Sequence, residues 1–213
     1  MQNRKGSKMT CLFKSVLSFL MVLALLTLPV PVEAEESPYD CPLMWKMRPA
    51  DSALTITAVQ MADPFNAQFE KFTTEICFDP EDLDNSYISA NVDVTSFNSG
   101  AADRDASVQT KEWFYSKVFP TASFVSEEIH RLAEGQYEVR GMLKIKNVSA
   151  PVSLPFSLEI EQYEGGMRAY AAGKMVLPRL LFDLGTGDWA DTSIIVNDVT
   201  LSVNIMAIHR QEN

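Results

Sequence analysis

The sequence predicts an all-β fold, a single antiparallel barrel of about eight strands. Apolar and polar residues alternate in segment after segment, which places one set on an apolar face and the other in water. Turn-forming residues separate these segments. The 213 residues, 46% hydrophobic and 22% charged, suffice for one substantial core. Closing such a sheet into a barrel covers its apolar face and removes its edges.

The first 34 residues have the pattern of a secretory signal peptide. A basic start, from Arg4 to Lys14, precedes an apolar run over residues 16–30, and small residues flank Glu33 up to Ala34. The alternative is a membrane anchor, for which the apolar run is short. We expect cleavage after Ala34, which leaves the barrel domain at 35–213 in the periplasm or secreted, with no stable membrane insertion.

The charge balance of the mature chain excludes a polyanionic partner. Without the leader's four basic residues and one glutamate, the formal net charge of −10 falls to −13. Nucleic-acid binding requires a basic face, so nucleic acid is not expected as a partner. Two cysteines, Cys41 and Cys77, remain after cleavage. In an oxidising compartment they are candidates for one disulfide, the alternative being two separate thiols.

The strands follow from the alternation and the turns from Gly, Pro and Asp. The alternating segments are residues 54–57, 88–94, 137–146, 152–161, 167–177 and 199–205. The predicted turns are Asp63–Pro64, Asp79–Pro80, Gly135, Ala150–Pro151 and Gly165–Gly166. Residues 101–116 depart from this pattern and predict a short helical segment, which ends before Phe119–Pro120.

The segment 167–177 bears on whether the barrel is hollow. If Tyr170 and Lys174 face water, the inward row contains Ala169, Ala171 and Gly173. The opposite register would bury Lys174 unpaired, which is unfavourable. Small inward residues leave space that either a ligand or bulky neighbouring side chains can fill, and the pattern alone does not decide between them.

Catalytic chemistry finds no support in the sequence. The two histidines, His130 near a predicted turn and His209 near the C-terminus, lack the spacing of a zinc site and are expected to be solvated. No nucleophile elbow of the G-x-S-x-G type occurs. The acidic residues from Asp79 to Asp84 lack the glycine of a calcium loop. We therefore expect neither enzymatic activity nor a metal or other cofactor.

Several motifs, taken in order, resemble those of the YceI-like family of secreted, lipocalin-like β-barrels. The matching segments are residues 78–83, 100–105, 113–114, 119–124, 141–148, 150–152 and 182–185. The resemblance spans about Trp45 to Ala207 and implies binding of a polyisoprenoid or a similar amphiphilic chain. Ser107 stands where the family often has histidine, and Arg48–Ser52 replaces an Asp-x-x-His-Ser motif. For Arg104 and Asp105, an ion pair at the barrel rim is favoured over ligand contact.

The resemblance and the missing chemistry together predict a non-catalytic binding protein that shelters an apolar-chain ligand of the polyisoprenoid, quinone or fatty-chain type. The alternative is a surface-acting interaction module with a filled core, placed beside a membrane redox protein. Candidate lining residues are Phe69, Phe72, Phe124, Leu143, Ile145, Phe156, Leu158, Ala169, Ala171, Gly173, Leu201 and Val203. Arg179 and Lys174 are candidate cations for a pyrophosphate head, although the acidic balance suits a neutral head, such as a quinone or amide, equally well.

Overall fold

The computed structural model describes Cys41 and residues 43–210, so the predicted leader lies outside the described residues. Over this range the chain forms eleven strands, one α-helix and four 3-10 helices. The strands are β1 (Met44–Met47), β2 (Ala53–Gln60), β3 (Asp63–Phe69), β4 (Phe72–Asp79), β5 (Asp82–Asp93), β6 (Phe97–Asn98), β7 (Thr121–Ala133), β8 (Gln136–Ile145), β9 (Val148–Tyr163), β10 (Gly166–Pro178) and β11 (Asp198–Arg210). The helix α1 is Ala102–Ser107, and the 3-10 helices are Pro49–Asp51, Val94–Ser96, Arg179–Phe182 and Gly187–Ala190.

Eight antiparallel strands close into a barrel, as the sequence predicts. Their order around the barrel is β1, β4, β5, β7, β8, β9, β10 and β11, and the pairing of β1 with β11 completes the ring. β1 pairs with one edge of β11 at Ile208, and β2 pairs with the same edge of β11 further along, beginning at Asn204. The two strands thus act as halves of one bent strand, and β2 carries β3 and β6 as an extension at one end of the barrel.

The alternation in β10 has the predicted register. Ala169 is buried and Gly173 is partly buried on the inward row, whereas Tyr170 and Lys174 are exposed outside. Small residues therefore face the barrel interior on this strand, and the lysine remains in water, where its charge costs nothing.

Two of the predicted turns are wrong. Ala150–Pro151 lies inside β9, and the turn before that strand is Lys146–Asn147, with Lys146 in the left-handed region at φ 56°. Asp63–Pro64 begins β3 instead of forming a turn. The turn lies two residues earlier, at Met61–Ala62, where both residues have positive φ. Proline is tolerated in a strand wherever its missing N–H faces no partner strand, so a proline does not by itself indicate a turn.

The helical segment is shorter than predicted. Only Ala102–Ser107 is α-helical, and residues 108–119 form successive turns closed by bonds such as Phe114 N to the carbonyl of Val108 (3.0 Å). The long strand β7 was not predicted because two irregularities, at residues 126–128 and 131–133, break its period of two. His130 accordingly lies within β7, exposed beside Glu128 at 2.9 Å.

A disulfide fastens the segment before β1 to the barrel. Cys41 and Cys77 are bonded, with their Cα atoms 5.8 Å apart, and Cys77 is 1% exposed on β4. Trp45 of β1 donates its Nε1–H to the carbonyl of Phe78 at 2.8 Å. His209 is half-buried instead of fully solvated, and its Nδ1 donates to the carbonyl of Met44 at 2.9 Å. These contacts hold the short closing strand in place.

The barrel interior contains two apolar clusters stacked along its axis. One surrounds Phe69, Val94 and Phe182, beneath the loops at one end, which we call the roof (residues 99–120 and 179–197). The other surrounds Trp45 and Phe78 at the opposite end. None of the helices among the described residues has the length and hydropathy needed to cross a bilayer.

Candidate functional site

The barrel interior is hollow. An inner cavity of about 190 Å³ lies in the middle of the barrel, and an outer cavity of about 440 Å³ lies between it and the roof. Both cavities touch the same ring of apolar residues, which we call the waist. The waist consists of Leu54, Val92, Ala122, Leu143 and Leu201. The two cavities therefore adjoin and form one elongated site.

The inner cavity is lined almost entirely by hydrocarbon. Its polar side chains are Thr74 and Ser123, and the Thr74 hydroxyl has no partner among the described residues. Ten of the predicted lining residues lie here: Phe72, Phe124, Leu143, Phe156, Leu158, Ala169, Ala171, Gly173, Leu201 and Val203. They come from β4, β7, β8, β9, β10 and β11, because each of those strands turns its apolar row inward. Such a cavity presents an apolar surface with almost no hydrogen-bonding groups.

The other two predicted lining residues, Phe69 and Ile145, lie on the outer cavity. Phe69 is the centre of an aromatic group there. Its ring centroid is 5.6 Å from that of Phe97 and 5.7 Å from that of Phe114, both in edge-to-face geometry. Edge-to-face pairs of this kind are favoured by the ring quadrupoles and give the wall a fixed shape.

Aromatic residues of the roof complete the outer cavity, and sequence reasoning did not assign them to the site. Trp113 and Trp189 have ring centroids 5.9 Å apart, and Phe65 and Phe182 also line the space. The signal available was the Trp113–Phe114 pair itself, two adjacent large aromatic side chains outside the predicted strands. The outer cavity is thus larger than the inner one, and aromatic residues from β3 and the roof line it.

Arg179 does not serve as a head-group cation, contrary to the expectation. It is 2% exposed, and its guanidinium donates to five backbone carbonyls of the roof at 2.7–3.3 Å. All five of its N–H donors are used in this way. Burial lowers the pKa of the Arg179 guanidinium. This residue therefore holds residues 184–196 over the outer cavity, and has no donor left for a ligand.

Lys174, the second predicted cation, is exposed on β10, in the row opposite to the cavity-lining residues. It does not line either cavity. The expected role as a head-group cation is thus wrong for both residues. The Arg179 side chain is buried with all its N–H donors in use, and the Lys174 side chain faces outward.

Arg104 is the cation that reaches the outer cavity. Its guanidinium carbon lies 3.9 Å from the ring centroid of Phe65, and Nη1 donates to Ser99 Oγ at 3.3 Å. Asp105 accepts instead from the backbone N–H and hydroxyl of Ser99, at 2.8 and 2.7 Å. The expected Arg104–Asp105 ion pair is not found among the described residues.

Two residues that line the outer cavity, Arg104 and Trp113, have a buried N–H group without a hydrogen-bond partner in the described part of the chain. These groups are Arg104 Nε and Trp113 Nε1. A buried N–H without an acceptor is unfavourable, so each group is a candidate donor to a ligand. Ser107, at the position where the family often has histidine, also lines this cavity.

Among Cys41 and residues 43–210, no group of three or more His, Cys, Asp or Glu side chains is placed to hold a metal ion. The site offers apolar surface in the inner cavity, and aromatic rings with a few polar groups in the outer one.

Comparison with other proteins identifies the fold and the family. The model of the YceI-like domain matches residues 45–207. A UPF0312 protein of Vibrio cholerae is 29% identical over 137 residues, which cover 62% of this chain and 72% of the relative. A UPF0312 protein of Photorhabdus laumondii is 31% identical over 123 residues, covering 55% of this chain and 64% of the relative.

Two solved structures show the same architecture. Burkholderia cenocepacia BcnA superimposes with a TM-score of 0.70 at 30% identity, covering 76% of this chain and 99% of BcnA. A polyisoprenoid-binding domain from Saccharophagus degradans gives a TM-score of 0.61 at 11% identity, covering 78% and 99%, respectively. At that identity the second similarity shows the fold alone. Because the family model spans most of the chain, the chain belongs to the YceI-like family.

Proposed function

We propose that this protein is a non-catalytic carrier that shelters the apolar chain of an amphiphilic ligand inside its barrel. The observation that carries the proposal is the pair of adjoining cavities. The inner cavity is almost entirely apolar, and the outer cavity is aromatic and is lined by two residues with unpaired N–H donors. Burial contributes about 0.8 kcal/mol per CH₂, so about ten carbons contribute on the order of 8 kcal/mol before ordering costs. Such a gain is enough for a useful affinity without any charged contact.

The ligand class that fits best has a neutral, planar head group with carbonyl oxygens, such as a quinone, on an isoprenoid or alkyl chain. The outer cavity offers ring faces at Trp113 and Phe69 for stacking and the N–H groups of Arg104 and Trp113 for carbonyl oxygens. A pyrophosphate head would need several free cations, and Arg179 is saturated by backbone carbonyls. A membrane redox protein would be the natural partner for a quinone cargo.

The site of action is proposed to be the periplasm or the extracellular space. The signal-peptide pattern of residues 1–34 and the disulfide between Cys41 and Cys77 both support an oxidising compartment. A packed barrel acting only through its surface is less consistent with an interior cavity lined from both walls.

Native mass spectrometry of the protein, purified from its own host under gentle conditions, tests the proposal. The expected result is a co-purifying neutral mass in one-to-one ratio, whose fragments include an isoprenoid or alkyl chain. Delipidated protein should then take up a long-chain quinone from detergent micelles. A mass equal to that of the polypeptide without ligand, together with no uptake of quinone, would contradict the carrier proposal.

A further inference from the structure

The strands β9 and β10 separate part-way along the barrel. Their pairing runs from Tyr163 and Gly166 to Phe156 and Gly173 and ends there. Beyond that point residues 148–155 of β9 pair with β8, and residues 174–178 of β10 pair with β11. The barrel wall therefore has a slot between the upper halves of β9 and β10, under the roof.

The sequence keeps this slot open. Pro155 directly precedes Phe156, the last residue of β9 that pairs with β10. The carbonyl of Pro155 faces Gly173, and a Cβ on this glycine would come within 2.8 Å of the carbonyl oxygen. Pro151, four residues earlier, has the same orientation in an antiparallel strand. Neither proline has an N–H to donate across the gap, which disfavours an extension of the ladder with β10 beyond Phe156 and Gly173.

The slot opens on the ligand site. Val152 and Leu154 on its β9 side and Met175 on its β10 side line the inner cavity, and Leu177 lines the outer one. All four are only partly buried, although they belong to the inward rows. Outside the slot, Val176 is 59% exposed and Leu181 is 51% exposed, which gives the opening an apolar lip.

A side chain and one hydrogen bond close the slot. Phe182, 1% exposed, packs in the same cluster as Ala150, Val152 and Leu177. Lys146, at the tip of the β8–β9 hairpin, donates from Nζ to the carbonyl of Asp183 at 2.6 Å. We call this bond the latch. Both latch residues have positive φ, 56° and 53°, a backbone conformation that costs free energy in a residue other than glycine.

The roof is held far more firmly than the hairpin tip. Arg179 binds the roof through five hydrogen bonds, so opening the top of the outer cavity means losing all of them from a buried guanidinium. The hairpin tip can swing outward without breaking any β9–β10 pairing, because none exists above Phe156. The latch is the polar contact that such a swing must break.

We propose that the slot between β9 and β10 is a lateral entrance, through which the apolar chain of the ligand passes sideways into the inner cavity while the roof stays closed. The inference rests on the proposed carrier function. It assigns to Lys146 and Asp183 the role of a latch, and to Val152, Leu154 and Met175 the walls of the passage. The passage suits an apolar chain, since the inward side chains on its two sides, Val152, Leu154 and Met175, are apolar.

Thiol accessibility tests the slot without any ligand. Met175→Cys, on the slot, is compared with Leu201→Cys, on the fully paired wall of the same cavity, in protein that also carries Cys11→Ser and keeps its native disulfide. With a water-soluble maleimide, the Met175→Cys protein should react at least tenfold faster than the Leu201→Cys protein. Adding Lys146→Met should accelerate only the Met175→Cys reaction, by threefold or more, whereas Lys144→Met, an exposed control two residues earlier on β8, should not.

Ligand kinetics provide the second readout, with a pyrene-labelled decanol as the probe. Lys146→Met should raise both the association and the dissociation rate constants by threefold or more and change the Kd by less than twofold. Equal reactivity of the two cysteine variants, or no effect of Lys146→Met on the Met175→Cys reaction, would overturn the lateral entrance. Failure of the wild-type protein to bind the probe would instead count against the carrier function, and the thiol result would still decide on the slot.

Discussion

Gly185 lies directly against the guanidinium of Arg179, so that a Cβ on the glycine would overlap with Nη1 of the arginine. The same Nη1 donates to the carbonyls of Leu184 and Gly185, at 2.8 and 3.0 Å. Gly185 also has φ +79°, a conformation that L residues rarely adopt. The close approach and the backbone conformation both require glycine, and together they allow one buried arginine to organise the roof.

Gly185→Ala should therefore lower the free energy of unfolding by more than the cost of left-handed backbone strain alone. Strain costs about 1–2 kcal/mol, and displacement of Arg179 from its carbonyls adds to it. Gly187→Ala is the matched control, because Gly187 has φ +63° and nothing within 4 Å of the added Cβ. Urea unfolding should show a larger loss for Gly185→Ala, and equal losses would contradict the role given to Arg179.

Leu158→Trp should abolish retention of a chain ligand while the protein still folds. Leu158 lines the inner cavity, and the larger indole would occupy the space of the chain. Val125→Trp makes a similar increase in size on an exposed residue and should leave retention unchanged. Co-purified lipid, measured by native mass spectrometry, distinguishes the two variants. Undiminished lipid in Leu158→Trp would mean that the chain binds elsewhere.

Trp113→Phe should weaken binding of a quinone but not of a plain alkyl chain. The change removes the unpaired Nε1–H and keeps an aromatic ring on the outer cavity. Loss of one hydrogen bond to a carbonyl corresponds to about 1 kcal/mol, or roughly a fivefold rise in Kd. Tryptophan-independent titration, such as calorimetry with both ligands, measures the difference. An equal effect on both ligands would show that the indole N–H does not contact the head group.

Removal of the disulfide by Cys41→Ala and Cys77→Ala should lower the free energy of unfolding by about 3–4 kcal/mol, the loop-closure value for a sequence separation of 36 between the cysteines. The wild-type protein in reducing buffer should show a similar loss by urea denaturation. A change below about 1 kcal/mol would mean that the other contacts of β1 suffice to hold the segment before that strand.

The acid limb of the stability profile should contain a contribution from Asp93. The hydrogen bond from the Thr95 side chain lowers the pKa of this carboxyl more than burial raises it, and Asp93 also accepts from Thr95 N at 2.9 Å. A folded-state pKa below the unfolded value of about 3.9 gives stability that is present above that pH and lost as pH falls through the folded pKa. Asp93→Asn should therefore flatten the stability profile below about pH 4, as measured by urea denaturation across that range, and an unchanged profile would contradict the role of Asp93.

The sequence predicted the parts of the fold in which a regular period carries the information. In β10, the alternation of Ala169 and Gly173 with Tyr170 and Lys174 was enough to predict the strand, its register and which residues face the barrel interior, but not that the interior is hollow. In β7 the irregularities around Glu127 and Leu132 shift the register, so the pattern was lost although the strand is 13 residues long.

Long-range contacts account for what the sequence did not reveal at the site. Arg179 looked like a free cation because nothing in its neighbourhood along the chain shows that carbonyls as far away as residue 196 surround it. Similarly, Pro151 was interpreted as a turn residue, since only the end of the β9–β10 pairing explains why a proline is tolerated there. Both residues act through neighbours that the folded chain alone brings together.

The seam between β1 and β11 joins Lys46 to Ile208, nearly the full length of the domain apart. Ring closure must therefore wait until the last strand has been synthesised, and the nascent chain remains an open sheet until then. Contacts of such high sequence separation slow folding to the millisecond-to-second range. A truncation that removes β11 should therefore leave an open sheet with two unpaired edge strands, β1 and β10, in place of a closed barrel.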